Sequence, residues 1–253
     1  MTGPLRGLIV DWGGVLTPSL DAAMAAWAQA DGVEFEHFRD VMRAWVGPGP
    51  GDDPGEQPGE QPGEQPAEQP AEQPEEGPVA LLVGAPDAGT AGSSPVHRLE
   101  RGELTPAEFE QQLADRLAER GSPVAAGGLL GRMLGGLATL DAGMLGIVRR
   151  AHEAGVRTAL LSNSWGDHYP DELFDGLFDA VVISGRVGMR KPEAEIFRHT
   201  AELLGLDPSS CVMVDDLPQN VRGAVAAGMV AVQHSDVDST RAELEVLLGL
   251  DLA

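Results

Sequence analysis

Five short apolar runs stand near the two ends of the chain: Leu8-Ile9-Val10, Thr158-Ala159-Leu160-Leu161, Ala180-Val181-Val182-Ile183, Val212-Met213-Val214 and Val230-Ala231-Val232. Continuous apolar runs of this length read as strands buried on both faces. Between the later runs lie stretches of helical character at 145–154, 192–204 and 218–227, the last closed by Gly228. Strands alternating with helices predict an α/β fold, a Rossmann-like parallel sheet covered on both sides.

Between the first and second runs the apolar period changes from continuous to helical. Leu20, Ala23, Met24 and Trp27 share one face, as do Phe35, Phe38, Val41, Met42 and Trp45. Thr105-Pro106-Ala107-Glu108 is a capping box with proline at the first helical position, followed by Phe109, Leu113 and Leu117 and stopped by Gly121. An all-helical unit is therefore expected inside the sheet unit, its Met and Trp stripes serving as core.

Within that unit the pattern lapses altogether. The tetrapeptide Gly55-Glu56-Gln57-Pro58 repeats through Pro74, with Ala replacing Gly in later copies. Proline at every fourth position removes backbone donors, the glutamates repel one another, and no apolar face exists to bury. Residues 47–95 are expected to be a disordered Pro/Glu/Gln-rich loop, with Val79-Ala80-Leu81-Leu82-Val83 as the one patch able to dock locally.

Charge narrows the partners. The formal net charge is −23, and between positions 47 and 96 there are ten acidic residues and no basic ones. Such a chain is not expected to bind nucleic acid, which is held by clustered Lys and Arg. Three apolar residues before Asp11 are too few for a signal core or a membrane span, so no membrane partner is expected. The lone cysteine, Cys211, cannot pair internally and suits a reducing compartment; the cytoplasm is the expected location. Histidines 37, 97, 152, 168, 199 and 234 lack metal-ligand spacing.

Polar groups gather immediately after four of the strands, where open α/β sheets bind ligands. Asp11 follows the first and opens Asp11-Trp12-Gly13-Gly14-Val15-Leu16-Thr17. Ser162-Asn163-Ser164 follows the second, Lys191-Pro192 follows the third, and Asp215-Asp216 follows the fourth, with Asn220 four residues beyond. A carboxylate at a strand end is a competent nucleophile on phosphorus, but two anions approach each other only with a hard cation between them. Asp11 and Asp216 offer such a cation a carboxylate pair. The chain holds sixteen arginines and one lysine, and that lysine is Lys191. A compact point charge is needed there, where a planar fork would not substitute.

These four motifs, in this order and context, resemble the haloacid dehalogenase (HAD)-like hydrolases, in particular the phosphatase-like branch with a helical cap between the first and second motifs. The resemblance covers residues 8–17 and 137–232. It implies a core of residues 1–17 and 137–253 and a cap of residues 18–136 carrying the loop at 47–95. It further implies Asp11 as nucleophile, with Ser162, Asn163 and Lys191 holding the phosphoryl group. Magnesium would be bound by Asp11, the backbone carbonyl of Gly13, and Asp216, supported from behind by Asp215 and Asn220. The implied activity is hydrolysis of a small phosphorylated metabolite, a sugar phosphate among the candidates, through an aspartyl-phosphate.

One position departs from the family. Two residues after the nucleophile most relatives carry a second aspartate, which protonates the departing oxygen; here it is Gly13. Losing such an acid costs about 10²–10⁴ in rate. Two alternatives follow: a 2-haloacid dehalogenase, in which Asp11 attacks carbon, or a phosphate-binding regulatory module without turnover. The paired Asp215-Asp216 favours phosphoryl over carbon–halogen chemistry.

Overall fold

The computed structural model describes residues 5–46, 94–166, 169, 174 and 176–253. The expected loop at 47–95 and the patch at 79–83 therefore lie almost wholly outside the described residues. At its far edge the expectation is corrected. Residues 94 and 95 begin a helix, because Ser94 accepts a hydrogen bond from the amide of Val96 and Pro95 occupies the first turn.

Five strands form one parallel sheet: β1 (Gly7–Val10), β2 (Arg157–Ser162), β3 (Ala180–Ile183), β4 (Cys211–Asp215) and β5 (Val230–Gln233), in the order β3-β2-β1-β4-β5. Leu8 stands in register with Thr158 on one side and Val212 on the other, so β1 is the central strand. Alternation along it sends side chains to opposite faces. Leu8 and Val10 join Met144, Ile147 and Val148 of α6 (Ala142–Glu153) and Leu244 and Leu248 of α10 (Val237–Leu248). Ile9 joins Ile196 and Phe197 of α8 (Ala194–Leu203) and Ala224 of α9 (Pro218–Ala226). A short helix, α7 (Ser184–Val187), links β3 to the turn that carries Lys191.

Between β1 and β2 the chain makes a helical excursion: α1 (Leu20–Asp31), α2 (Phe35–Val46), α3 (Pro95–Glu100), α4 (Pro106–Glu119), α5 (Leu129–Leu134) and a 3₁₀ turn at Gly135–Ala138. These helices bury a cluster of their own around Met24, Trp27, Phe38, Phe109, Leu113 and Met133. Both reciprocal bonds of the expected capping box at Thr105 are present. Where the excursion leaves and returns, the Asp141 amide donates to the Leu16 carbonyl at 2.8 Å. Leu137 packs with the helical cluster rather than with the sheet. Among the described residues, no helix is long and apolar enough to cross a membrane.

Candidate active site

Because all five strands run parallel, their carboxyl ends share one edge of the sheet. Asp11 follows β1 there, while Ser162 ends β2 and Asp215 ends β4. The chain connects β1 to β2 and β3 on one side and to β4 and β5 on the other, so the crevice lies at the topological switch point. A cavity of about 530 Å³ opens over it, floored by Asp11, Gly13, Ser162, Lys191 and Asp216 and walled by the helical excursion. Every residue singled out from the sequence lines this cavity except Asp215, which lies behind the floor with no exposed surface.

Lys191 is the hub. Its ammonium, 1% exposed, sits 2.8 Å from Asp11 Oδ1 and 2.7 Å from Asp215 Oδ2, and makes no such contact with Asp216. Asp11 Oδ1 also accepts from the Trp12 amide at 2.6 Å, whereas Oδ2 takes neither bond. One oxygen of Asp11 is thereby fixed and the other left for chemistry. Three donors engage Asp215: Oδ1 accepts from the Leu217 backbone amide and the Asn220 side-chain amide, and Oδ2 from Lys191.

The backbone of Lys191 is clamped in turn by Asn163, whose Nδ2 donates to the lysine carbonyl at 3.0 Å and whose Oδ1 accepts from the lysine amide at 2.8 Å. Through these two bonds Asn163 places the lysine, a role that its neighbours in sequence do not reveal. Helix α9 closes on the same turn: a Cβ at Gly223 would come within 2.5 Å of the Pro192 carbonyl oxygen. Ser162 Oγ and the Tyr169 hydroxyl lie 2.8 Å apart, and Tyr169 packs edge-on against Trp12.

Burial and like charge act strongly on this floor. Burial pushes Asp11 up to about 7, partly offset by Lys191 and reinforced by Asp215. Asp216 is raised to about 8 by burial and then by Asp11 and Asp215. Burial pulls the Lys191 ammonium down, but the two carboxylates outweigh it and hold it above the ordinary lysine value. Burial lifts Tyr169 to about 12, against the hydrogen bond to Ser162. One ammonium among three carboxylates leaves the floor short of positive charge.

The donor set fits a hard divalent cation. Asp11, Asp215 and Asp216 each present an oxygen within 4.8 Å of the others. The Oδ1 of Asn220 is buried beside them without a hydrogen-bond partner, an acceptor suited to an ion's hydration shell. The glycines next to the nucleophile differ. Gly14 adopts φ +75°, and a Cβ there would fall 2.0 Å from Asp216 Oδ2, so only glycine lets the loop approach the carboxylate. Around Gly13 a Cβ would meet nothing within 4 Å. The departure from the family pattern is thus not enforced by crowding.

A second buried network went unseen in the sequence. Glu100, at the end of α3, accepts from Trp165 Nε1 at 3.1 Å and from Arg190 Nε at 2.6 Å, with Glu100 and Arg190 both essentially inaccessible. Arg101 pairs beside it with Glu193. These contacts join the helical excursion to the turn bearing Lys191. No local pattern marks them, since the partners lie 65 and 90 positions apart.

The chain is similar to several known proteins. A sesquiterpene phosphatase of Aspergillus oryzae is 31% identical over 160 residues, covering 60% of this chain and 78% of that protein. A phosphoserine phosphatase of Thermus thermophilus is 41% identical over 87 residues, 32% of this chain and 35% of that one. An HAD-family enzyme of Bacteroides thetaiotaomicron, solved as the wild-type protein with magnesium and inorganic phosphate, aligns with a TM-score of 0.54 at 19% identity. That alignment covers 91% of this chain and 94% of the other, and it establishes the fold. The haloacid dehalogenase-like hydrolase family itself matches residues 5–228, and the chain belongs to it.

Proposed function

We propose that this chain is a magnesium-dependent phosphomonoesterase acting on a small phosphorylated metabolite through an aspartyl-phosphate at Asp11. The observation that carries the reading is the asymmetry of Asp11: Oδ1 is pinned by Lys191 and the Trp12 amide, and Oδ2 is left to attack. Phosphatase relatives support the same chemistry. Residues 18–136 act as the cap, whose wall closes the cavity over the reacting group.

In the first step an Asp11 oxygen forms a bond to phosphorus as the ester P–O bond breaks, and the departing oxygen takes a proton. Lys191 neutralises charge on the transferring group and on Asp11, while the Ser162 hydroxyl donates a hydrogen bond to a phosphoryl oxygen. In the second step water attacks the phosphoryl group of the acyl phosphate, releasing inorganic phosphate and restoring the Asp11 carboxylate. Asp11, the Gly13 carbonyl and Asp216 would hold magnesium, with Asp215 and Asn220 behind them; when bound, the ion screens nucleophile from phosphate. Gly13 supplies no proton, so the departing oxygen draws it from solvent or from the substrate. The single buried thiol of Cys211 is in line with a cytoplasmic enzyme.

The test is p-nitrophenyl phosphate, whose good leaving group needs no acid. Turnover that requires magnesium and disappears in Asp11→Asn, with the fold intact by circular dichroism, is the expected outcome. Full activity in EDTA would overturn the proposal in favour of dehalogenase-type chemistry, and no turnover by a folded, magnesium-loaded protein would point to a binding module.

A further inference from the structure

Resting on the phosphatase reading, we infer that the substrate's organic part is apolar: the site takes the phosphate monoester of a hydrophobic alcohol. Three observations converge. The first is the wall. Leu20, Leu134, Leu137 and Leu217 all border the cavity, are partly buried, and pack against the apolar cluster of the helical excursion. Trp165 and Leu140 complete the lining beside them.

The second is that the wall's polar side chains, Ser19, Asp21 and Glu100, already have partners. The Ser19 hydroxyl accepts from the Ala22 amide as the N-cap of α1. Glu100 lines the cavity, yet both its oxygens are engaged by Trp165 and Arg190. A site built for a sugar must offer a partner to each hydroxyl, because hydroxyls buried without partners are penalised.

The third is charge. Among the described residues, Lys191 is the one cation lining the cavity, and it is committed to the floor. The residues outside the described set contain no lysine or arginine and a single histidine, His168. A second anionic group on the substrate, such as the carboxylate of phosphoserine or the far phosphate of a bisphosphate, would find no further cation among the described lining residues. An alkyl or terpenoid chain meets no such penalty and gains from leaving water.

The experiment is a homologous series of n-alkyl phosphates from ethyl to octyl, in which leaving-group acidity stays nearly constant and only apolar contact grows. Each is measured as a competitive inhibitor of p-nitrophenyl phosphate turnover with magnesium. Inhibition should tighten about threefold to fourfold per methylene until the chain outgrows the cavity. Octyl phosphate should bind well ahead of glucose 6-phosphate and phosphoserine. Leu137→Arg should flatten the series and improve inhibition by bisphosphates; Leu134→Gln should flatten it too, and serves if the arginine variant fails to fold. A flat series in the wild type, or tighter inhibition by glucose 6-phosphate or phosphoserine, overturns the inference. If p-nitrophenyl phosphate is not turned over, the phosphatase reading fails by itself. Calorimetric titration of the same series into the magnesium-loaded protein then decides the nature of the wall: a rising ladder of affinity upholds it and a flat one removes it.

Discussion

Arg190 and Lys191 are neighbours in sequence, each 1% exposed and each ion-paired, yet their surroundings are opposite in kind. Arg190 pairs with Glu100, whose carboxylate also accepts from the Trp165 indole. Lys191 faces Asp11 and Asp215 with Asp216 close by, so one positive charge answers three negative ones. The Glu100–Arg190 pair balances charge for charge and joins two parts of the molecule. The cluster around Lys191 is short of positive charge, which the proposed magnesium would supply. Burial of charge alone therefore says little about function; the local sum of charge says more.

The contrast breaks most visibly at the balanced pair. Glu100→Ala takes the buried Glu100 carboxylate away from the Arg190 guanidinium, which should cost about 3–5 kcal/mol in urea unfolding. The double variant Glu100→Leu, Arg190→Met should recover most of it, since apolar replacement of a closed pair is often neutral. Failure to recover would mean that the pair also fixes the geometry of the Lys191 turn. At the unbalanced cluster, Lys191→Ala should lower kcat on p-nitrophenyl phosphate by about 10²–10³, the range for removing one preorganised charge-stabilising donor. Lys191→Arg should not restore it, because the guanidinium fork does not fit between Asp11 and Asp215. Rescue by arginine would show that charge alone suffices.

A smaller effect concerns pH. Asp11 and Asp216 titrate near 7 and 8 in the folded chain without metal, above their unfolded value of about 4. A carboxyl group so raised favours the fold fully at low pH, and that contribution is lost as pH climbs through 7 to 8. Magnesium would supply the missing positive charge, so it should raise Tm more at pH 8 than at pH 5; at a hundredfold excess over the pH 8 Kd the gain in unfolding free energy is about 2.7 kcal/mol. Equal stabilisation at both pH values would place the ion elsewhere. Below this comes Gly13→Asp, for which there is space. It should raise turnover of alkyl phosphates about tenfold and that of aryl phosphates less. No gain would mean that another group already provides the proton. Smallest of all, deleting residues 52–76 should leave Tm and kcat nearly unchanged, because the Glu-Gln-Pro repeat has no apolar face to bury. A large fall in either would show that the repeat is part of the folded site.

What could be read from the residues follows the range of the forces involved. The strands were legible because a buried parallel strand must be apolar along its length, and the floor because reactive groups follow directly at the strand ends. Helix α10 was not: Val237–Leu248 carries charges at four of its positions, and its buried Thr240, Leu244 and Leu248 form only a thin stripe. Asn163 was expected to bind phosphate; it lines the cavity, and its amide also clamps the lysine backbone 28 positions away, a contact its sequence neighbours do not mark. The Glu100 network and the leucine wall likewise depend on which helices meet, and pairing at such separations leaves no periodic trace.

The bond from the Asp141 amide to the Leu16 carbonyl carries a consequence of its own. It closes the base of the excursion, so that for the sheet everything between those residues is a single detour whose two ends already touch. Whatever is spliced in at that point inherits the chemistry of the floor, and whatever is cut out leaves it standing. Such an architecture separates evolvable parts: a lineage can rewrite the leucine wall, or lengthen the Glu-Gln-Pro repeat, while the reaction itself stays under different selection.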